Sequence, residues 1–385
     1  MALKILFAHR FLPGRFGALA TALAARGDAC VFLHAEGTDA PAGVRGVRFQ
    51  PTRPLDLGDD SRMRPLETAV LDGEAAFHAA RGLAAEGFRP DVIVAQGGFG
   101  PGLHLAEAFR GVPVLGAFEW FEAGPAMRAQ LRLELAACRR GMVESAFQLE
   151  GFPAEFRPKL EIVHAGIDTG LWAPSRGRAA LRAELGVPRD GELLVHCGPI
   201  FQAHRGCDTM LAALALLLAR RPALQVCLVG ERSGLYAAPP AGNEERRAAM
   251  RAALASLDRS RLRVATGSTA EFRLAALQAS DVVINLADGF PVSHSLLEAM
   301  ACAVPVVGSD TPPVREFIED GATGVLAPFA DPAAVAGAVE RVLDDRDLGA
   351  GLGRAARRQV VLRNGLARQV ARKIELVEEL AGARG

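Results

Sequence analysis

The 385-residue chain has no excess of either charge: 44 Lys and Arg balance 44 Asp and Glu. Nucleic-acid binders draw much of their affinity from neutralising phosphates, so this balance argues against a nucleic-acid partner. Lysine is scarce, present only at Lys4, Lys159 and Lys373, and the positive charge is otherwise arginine, a bias we read as compositional. Cys30, Cys138, Cys197, Cys207, Cys227 and Cys302 are dispersed and form no C-x-x-C pair. That spacing argues against a disulfide framework or a zinc site and for a reduced, cytoplasmic setting. The longest apolar run, residues 210–219, is about half of what a bilayer span needs. Residues 1–10 carry too short an apolar run for a signal peptide and read as a first strand. Neither G-x-x-x-x-G-K-[ST] nor a strand-linked G-x-G-x-x-G occurs, which removes the main support for a P-loop NTPase or a dinucleotide dehydrogenase.

What is present is alternation. Half of the residues are apolar, ample for large cores, and the length favours two domains. Strand-like runs at residues 3–8 and 30–34, a strand ending in a Gly-rich loop within 89–102, and a further strand within 112–122 are separated by helical segments that include 19–26 and 67–87. Residues 43–65 are Pro-, Gly- and Asp-marked and read as peripheral. Residues 127–150 read as one helix with an apolar stripe and the basic residues Arg128, Arg132, Arg139 and Arg140. Such a helix ordinarily faces a core with its charges solvated, and its basic face also suits a weak peripheral contact with the inner face of a membrane. A strand at 156–164 and a Gly/Pro-marked crossing at 165–174 follow. The pattern then restarts, with strands at 192–197, 224–230, 262–265, 282–286 and 304–307 and helices at 206–219, 244–257 and 270–278. A strand–helix alternation in both halves predicts two doubly wound α/β domains facing each other, with ligands in the cleft between them.

The chemistry concentrates in residues 287–300. A buried strand, a polar Gly/Pro turn and a helix N-terminus put backbone N–H groups and a positive dipole end at the carboxyl edge of a sheet, where α/β proteins bind anions. Ser295-Leu296-Leu297-Glu298 also fits an S-x-x-E capping box, in which Glu298 does no more than close its own helix. Glu119 falls at the end of another strand, where catalytic groups of such sheets cluster, although an acid there is equally at home as a solvated loop residue.

The run from Glu298 to Asp310 with Val304-Pro305-Val306-Val307-Gly308-Ser309, followed by Val314-Arg315-Glu316-Phe317-Ile318-Glu319-Asp320-Gly321-Ala322-Thr323-Gly324, resembles the donor-site signature of the retaining glycosyltransferases of family 4. His164-Ala165-Gly166-Ile167-Asp168 is similar to that family's interdomain segment, and Arg205-Gly206 to its basic-Gly pair. The resemblance implies the GT-B fold: two facing Rossmann-like domains, 1–168 on the acceptor side and 169–365 holding the nucleotide sugar, with a helix at about 366–385 packing back on the first domain. It implies transfer from a UDP- or GDP-linked sugar to a glycan, lipid-linked or protein acceptor, with no cofactor and no metal. Donor contacts are expected from Gly14, Arg15, Gly198, Arg205, Gly230, Thr269, Asp288, Ser293, His294, Ser295 and Glu298, and catalytic roles from Glu119 and Arg205. A helix terminus contributes only about 0.3 to 1 kcal/mol against roughly 8 for micromolar affinity, so a fork-like cation such as Arg205 is required on the diphosphate.

Three positions depart from the family's pattern: Phe290 where an acid precedes Glu298 by eight residues, Pro199 where a second base is usual, and Ala303 where a glycine is usual. These losses keep two alternatives open, an impaired GT-B protein acting as a binding or partner subunit, and a nucleotide-sugar epimerase. Asp345-Arg346-Asp347 matches the D-x-D metal motif but falls at a helix end, where a solvated cap is the expected role.

Overall fold

The computed structural model describes every residue except 1, 38, 59–62, 122–123, 200–201, 231–243, 268 and 383–385, and the side chains of 244, 246 and 247. Parts of the 43–65 stretch, of the loop after residue 198 and of the expected terminal segment thus lie outside the described residues. The chain divides into two compact units, Met1–Gly166 with Ala367–Gly385, and Ile167–Leu366.

In the first unit the strands are β1 (Lys4–Ala8), β2 (Phe11–Leu12), β3 (Ala29–His34), β4 (Glu36–Gly37), β5 (Val44–Arg48), β6 (Val92–Gln96), β7 (Val114–Ala117), β8 (Arg140–Val143) and β9 (Leu160–Ile162). Seven of them form one parallel sheet in the order β5-β3-β1-β6-β7-β8-β9, while β2 and β4 pair as a small ribbon. Helices α1 (Gly17–Ala25), α2 (Arg64–Ala85), α3 (Leu105–Ala108), α4 (Pro125–Ala137) and α5 (Ala146–Gly151) connect them. Apolar runs such as Ile5-Leu6-Phe7-Ala8 and Val92-Ile93-Val94 are buried along their whole length, as strands covered on both faces must be. The strand order reverses between β1 and β6, so the loops leaving these two strands diverge and open a crevice at the carboxyl edge.

The second unit repeats the plan with β10 (Glu192–Cys197), β11 (Leu224–Gly230), β12 (Leu262–Thr266), β13 (Val282–Asn285), β14 (Val306–Ser309) and β15 (Val325–Ala327), ordered β12-β11-β10-β13-β14-β15 and all parallel. Its helices are α6 (Arg178–Glu184), α7 (Cys207–Arg220), α8 (Glu244–Ser256), α9 (Ala270–Ala279), α10 (His294–Ala301), α11 (Pro312–Arg315), α12 (Pro332–Asp344) and α13 (Arg346–Asn364). Here the reversal lies between β10 and β13, the strands that lead into residues 198–205 and 286–293. The last helix, α14 (Leu366–Gly382), buries Leu376, Val377 and Leu380 in the core of the first unit. Each such side chain contributes about 1.5 to 3 kcal/mol relative to exposure.

Two expectations are corrected. Residues 127–150 are not one helix: α4 stops at Ala137, Cys138 turns extended, β8 enters the sheet between β7 and β9, and α5 follows. A glycine makes this strand possible, because a Cβ on Gly141 would stand 2.5 Å from Leu160 Cδ2 and 3.0 Å from Phe118 Cε2. Two of the four arginines in this stretch are ion-paired, Arg132 with Glu155 at 2.7 Å and Arg140 with Glu161 at 2.8 Å. The 43–65 stretch is not wholly peripheral either, since β5 within it pairs along β3 as an edge strand. Asp345 caps α13 by accepting from the Leu348 amide, which is the role expected of it. Among the described residues no helix is long and apolar enough to cross a membrane.

Candidate functional site

In the second unit the site grows from the two loops at the strand reversal. Gly206, at φ +62°, begins α7, and a Cβ there would lie 2.8 Å from Leu286 Cβ and 3.0 Å from Phe329 Cε2, so only glycine fits. This tight turn fixes Arg205 immediately before the helix. Its Nη1 donates to the Pro291 carbonyl at 2.7 Å, and its guanidinium lies over the Phe290 ring, 5.1 Å from the centroid. The His204 ring sits 4.4 Å from the same phenyl ring. Burial lowers Arg205 to about 10, which leaves it charged at neutral pH, and its Nε has no hydrogen-bond partner.

Helix α10 starts at the second loop. Ser293 is its N-cap residue but makes no capping bond; its Oγ lies 2.6 Å from Ser295 Oγ. Ser295 Oγ donates to the Cys197 carbonyl at 2.7 Å, tying the helix start to the end of β10, and Asn285 Nδ2 donates to both hydroxyls at 3.3 Å. The side chain of Ser295 is therefore committed to structure. Gly198 faces this network, with the Cβ it lacks only 4.0 Å from Ser295 Oγ and 3.7 Å from His196 Nε2. His196 is buried, and its Nδ1 lies 3.1 Å from the Ile284 carbonyl, which can only accept. Burial lowers this imidazole to about 4, so it is neutral, with Nε2 unpartnered.

Glu298, one helical turn along, does not close a capping box. It is 7% exposed and faces Arg273 of α9, with Nε 2.9 Å from Oε2 and Nη2 3.2 Å from Oε1. The first contact is an ion pair that misses hydrogen-bond alignment. Burial raises the Glu298 pKa, and Arg273, then His294, oppose that rise. Thr269 caps α9 by accepting from the Phe272 amide at 3.3 Å, Gly230 ends β11, and Asp288 and His294 are exposed. The structure thus groups Gly198, Arg205, Ser293 and Ser295, together with Asp288, whose amide donates to the His204 carbonyl at 3.0 Å. Among the described residues no hydrogen bond or ion pair joins Gly230 or Thr269 to them.

In the first unit, Gly14 and Arg15 form a single 3₁₀ turn beyond β1. Gly14 has φ +47°, and a Cβ there would stand 2.8 Å from His9 Nδ1. Arg15 Nη1 reaches Gln96 Oε1 at 3.2 Å and Glu119 Oε1 at 3.3 Å, and its Nη2 pairs with Glu144. One guanidinium therefore links groups at the ends of β6, β7 and β8. Lys373 of α14 is lowered to about 8 by burial and by the nearby Arg15 charge, and donates to the Ala165 carbonyl at 2.8 Å. Gln96, Glu144, Lys373, His196 and Arg273 were not singled out from the sequence. Glu144 was hidden because its strand was read as helix, and the others carry no local signal.

Two family models match the chain: "Glycosyl transferase family 4 group" over residues 26–129 and "Glycosyl transferases group 1" over residues 177–359. The chain belongs to the family 4 glycosyltransferases. It is 31% identical over 242 residues to a D-inositol 3-phosphate glycosyltransferase of Streptomyces avermitilis, covering 61% of this chain and 51% of that one. A protein of the same name from Kineococcus radiotolerans is 35% identical over 214 residues, 52% of this chain and 47% of its own. The chain thus spans about half the length of the curated relatives it matches. Among solved structures it is similar to Anabaena HepE in complex with UDP and glucose, with TM-score 0.74 and 16% identity over 98% of this chain and 100% of the other. Sucrose-phosphate synthase from Thermosynechococcus elongatus gives TM-score 0.76 and 20% identity over 99% and 100%. At these identities the likeness is one of fold, and the fold of this family 4 chain is GT-B, built from two Rossmann-like units.

Proposed function

We propose that this family 4 chain is a glycosyltransferase that takes a sugar from a UDP- or GDP-linked donor and transfers it, with retention and without a metal, to a glycan, lipid-linked or protein acceptor. The observation that carries the reading is the meeting of Arg205, the Gly198 turn and the start of α10 at the strand reversal of the second unit. In this reading Arg205 meets the diphosphate, where a desolvated guanidinium stabilises the charge that grows as the sugar–phosphate bond breaks. The amides of residues 293–295 and the α10 dipole supply further donors. Glu298 accepts from the ribose hydroxyls, and Gly230, Thr269 and Asp288 complete the donor contacts. The acceptor oxygen bonds to the anomeric carbon on the face the diphosphate leaves, and its proton passes to a diphosphate oxygen. No protein nucleophile is required, so positioning carries most of the rate. Glu119, held beside Arg15, is the carboxylate we assign to catalysis, and Gly14 and Arg15 are assigned to donor binding. A cytoplasmic protein, at most peripheral at the inner membrane face, fits these substrates.

The test is release of UDP or GDP from a panel of nucleotide sugars in the presence of envelope glycans, lipid-linked sugars and proteins. Transfer product is expected, with Arg205→Ala lowering kcat/KM by roughly 10²- to 10³-fold. Absence of any nucleotide binding at millimolar concentration would sink the reading. Phe290, packed against His204 and Arg205 where the family carries an acid, favours a second one: an impaired GT-B protein acting as a binding or partner subunit. That reading requires no transfer product, and replacement of Arg205 and Glu298 by Ala in the native host with no loss of glycan. Conversion of the donor sugar without an acceptor would instead identify an epimerase.

A further inference from the structure

Glu298 is an unusual acceptor. A carboxylate 7% exposed on an apolar helix is costly to keep charged unless a partner offsets its lost hydration. Among the described residues four groups face it. Arg273 reaches across from α9, His294 lies on its own helix, and the Cys197 and Cys302 thiols come from β10 and from the turn after α10. Burial holds both thiols well above neutral pH, so they add no charge. Arg273 is the cation that contacts the carboxylate. Its guanidinium is itself fixed from a third direction, since it lies over the indole of Trp172, 5.2 Å from the centroid. Arg273 thus meets both carboxylate oxygens, and each oxygen keeps a further lone pair for another donor.

We infer that Arg273 is a positioning residue of the nucleotide site, clamped on Trp172 and holding Glu298 charged and oriented so that it can accept from the ribose of a nucleoside diphosphate. The inference rests on the nucleotide reading given above. Without Arg273 the buried carboxyl takes up a proton, becomes a donor at one oxygen, and no longer matches two ribose hydroxyls.

The experiment measures binding of UDP and GDP from pH 6 to 9 by wild type, Arg273→Lys, Arg273→Met, Glu298→Gln and the Met/Gln double variant, alongside thermal unfolding over the same range. For the diphosphate that wild type binds, Arg273→Met should weaken binding at least tenfold at pH 7 and recover towards pH 9 as Glu298 ionises. Arg273→Lys, which keeps the charge but loses the planar fork, should bind less tightly than wild type while keeping its pH profile. Glu298→Gln should be weak at every pH, and adding Arg273→Met to it should change binding less than twofold. A loss that is independent of pH and additive with Glu298→Gln reduces Arg273 to packing on Trp172 and overturns the inference. Thermal unfolding separates the two levels. Removing the cation raises the Glu298 pKa further in the folded state, so the Tm of Arg273→Met should fall more steeply than that of wild type as pH rises. Equal slopes overturn the pairing whatever binds. A steeper slope in Arg273→Met, with a wild type that binds neither diphosphate, overturns the nucleotide reading, and the role towards ribose with it. Should Arg273→Met not fold, the Lys variant and Glu298→Gln carry the comparison: loss of the wild-type pH profile in the Lys variant overturns the inference.

Discussion

Burial has removed Arg205 from water without removing its charge, and a second buried group shows the opposite response. Glu134 of α4 accepts from the Gly98 amide at 2.6 Å and from Gln130 Nε2 at 3.4 Å, beneath the glycine loop that follows β6. Burial pushes its carboxyl up to about 7, and the amides of Gly98 and Gly100 oppose the rise only in part. The unfolded chain releases this proton near pH 4.5 and the folded one near 7, so between these values the folded state binds more protons and stability falls as pH rises. The Tm of wild type is therefore expected to decline from pH 5 to 8 more than that of Glu134→Gln, whose side chain cannot ionise; parallel Tm–pH curves would refute the assignment. At this scale the sequence was legible where a residue sits in a long local motif, as Arg205 and Glu298 do. It was silent where a partner is remote: Arg273 meets Glu298 across 25 residues, and Arg15 meets Gln96 across 81 and Glu144 across 129.

Helix α10 shows what one element can and cannot reveal. Its strand, turn and helix order was readable from hydrophobic pattern and Gly/Pro punctuation, but its Ser295 hydroxyl is a structural tie to β10. Its other end is strained. The amide of Ala303 bonds to the Met300 carbonyl at 3.0 Å and that of Val304 to the Ala299 carbonyl at 3.2 Å, a Schellman ending with Ala303 in the left-handed region at φ +59°. That conformation costs a side-chain-bearing residue about 1 to 2 kcal/mol, partly offset by the greater unfolded-state entropy of glycine. Ala303→Gly should therefore stabilise the chain by about 0.5 to 1 kcal/mol in urea unfolding, and an unchanged or lower midpoint would show that the turn is not strained. Strand β8 was missed for a related reason. A four-residue strand following a long amphipathic helix leaves too few residues for a period of two to be told from one of 3.6.

On the scale of the whole molecule, the last helix belongs to the first unit. Besides burying Leu376, Val377 and Leu380, α14 pairs Arg372 with Glu161 at 2.5 Å, Glu379 with Arg140 at 2.5 Å, and Glu378 with Arg26 at 2.5 Å. The exposed pairs contribute little, so the apolar side chains carry the docking. Deleting residues 366–385 should raise amide hydrogen exchange throughout β1, α1 and β8 while leaving β10 to β15 protected. Equal loss in both units would mean that they do not unfold separately.

The amino-acid sequence by itself determined the parallel α/β plan of both units, because continuous apolar strands separated by amphipathic helices have few other ways to bury their faces. It also marked the Arg205-Gly206 pair ahead of a helix, whereas the crowding by Leu286 and Phe329 that excludes a side chain at Gly206 belongs to the fold. Only the tertiary structure decided which charges meet: the Arg273–Glu298 pair over Trp172, the Arg15 cluster, and Phe290 against Arg205. Such contacts depend on the spacing of parallel strands and on which loops leave the sheet at the same reversal. That geometry is set by the packing of the whole unit and leaves no local trace in the chain.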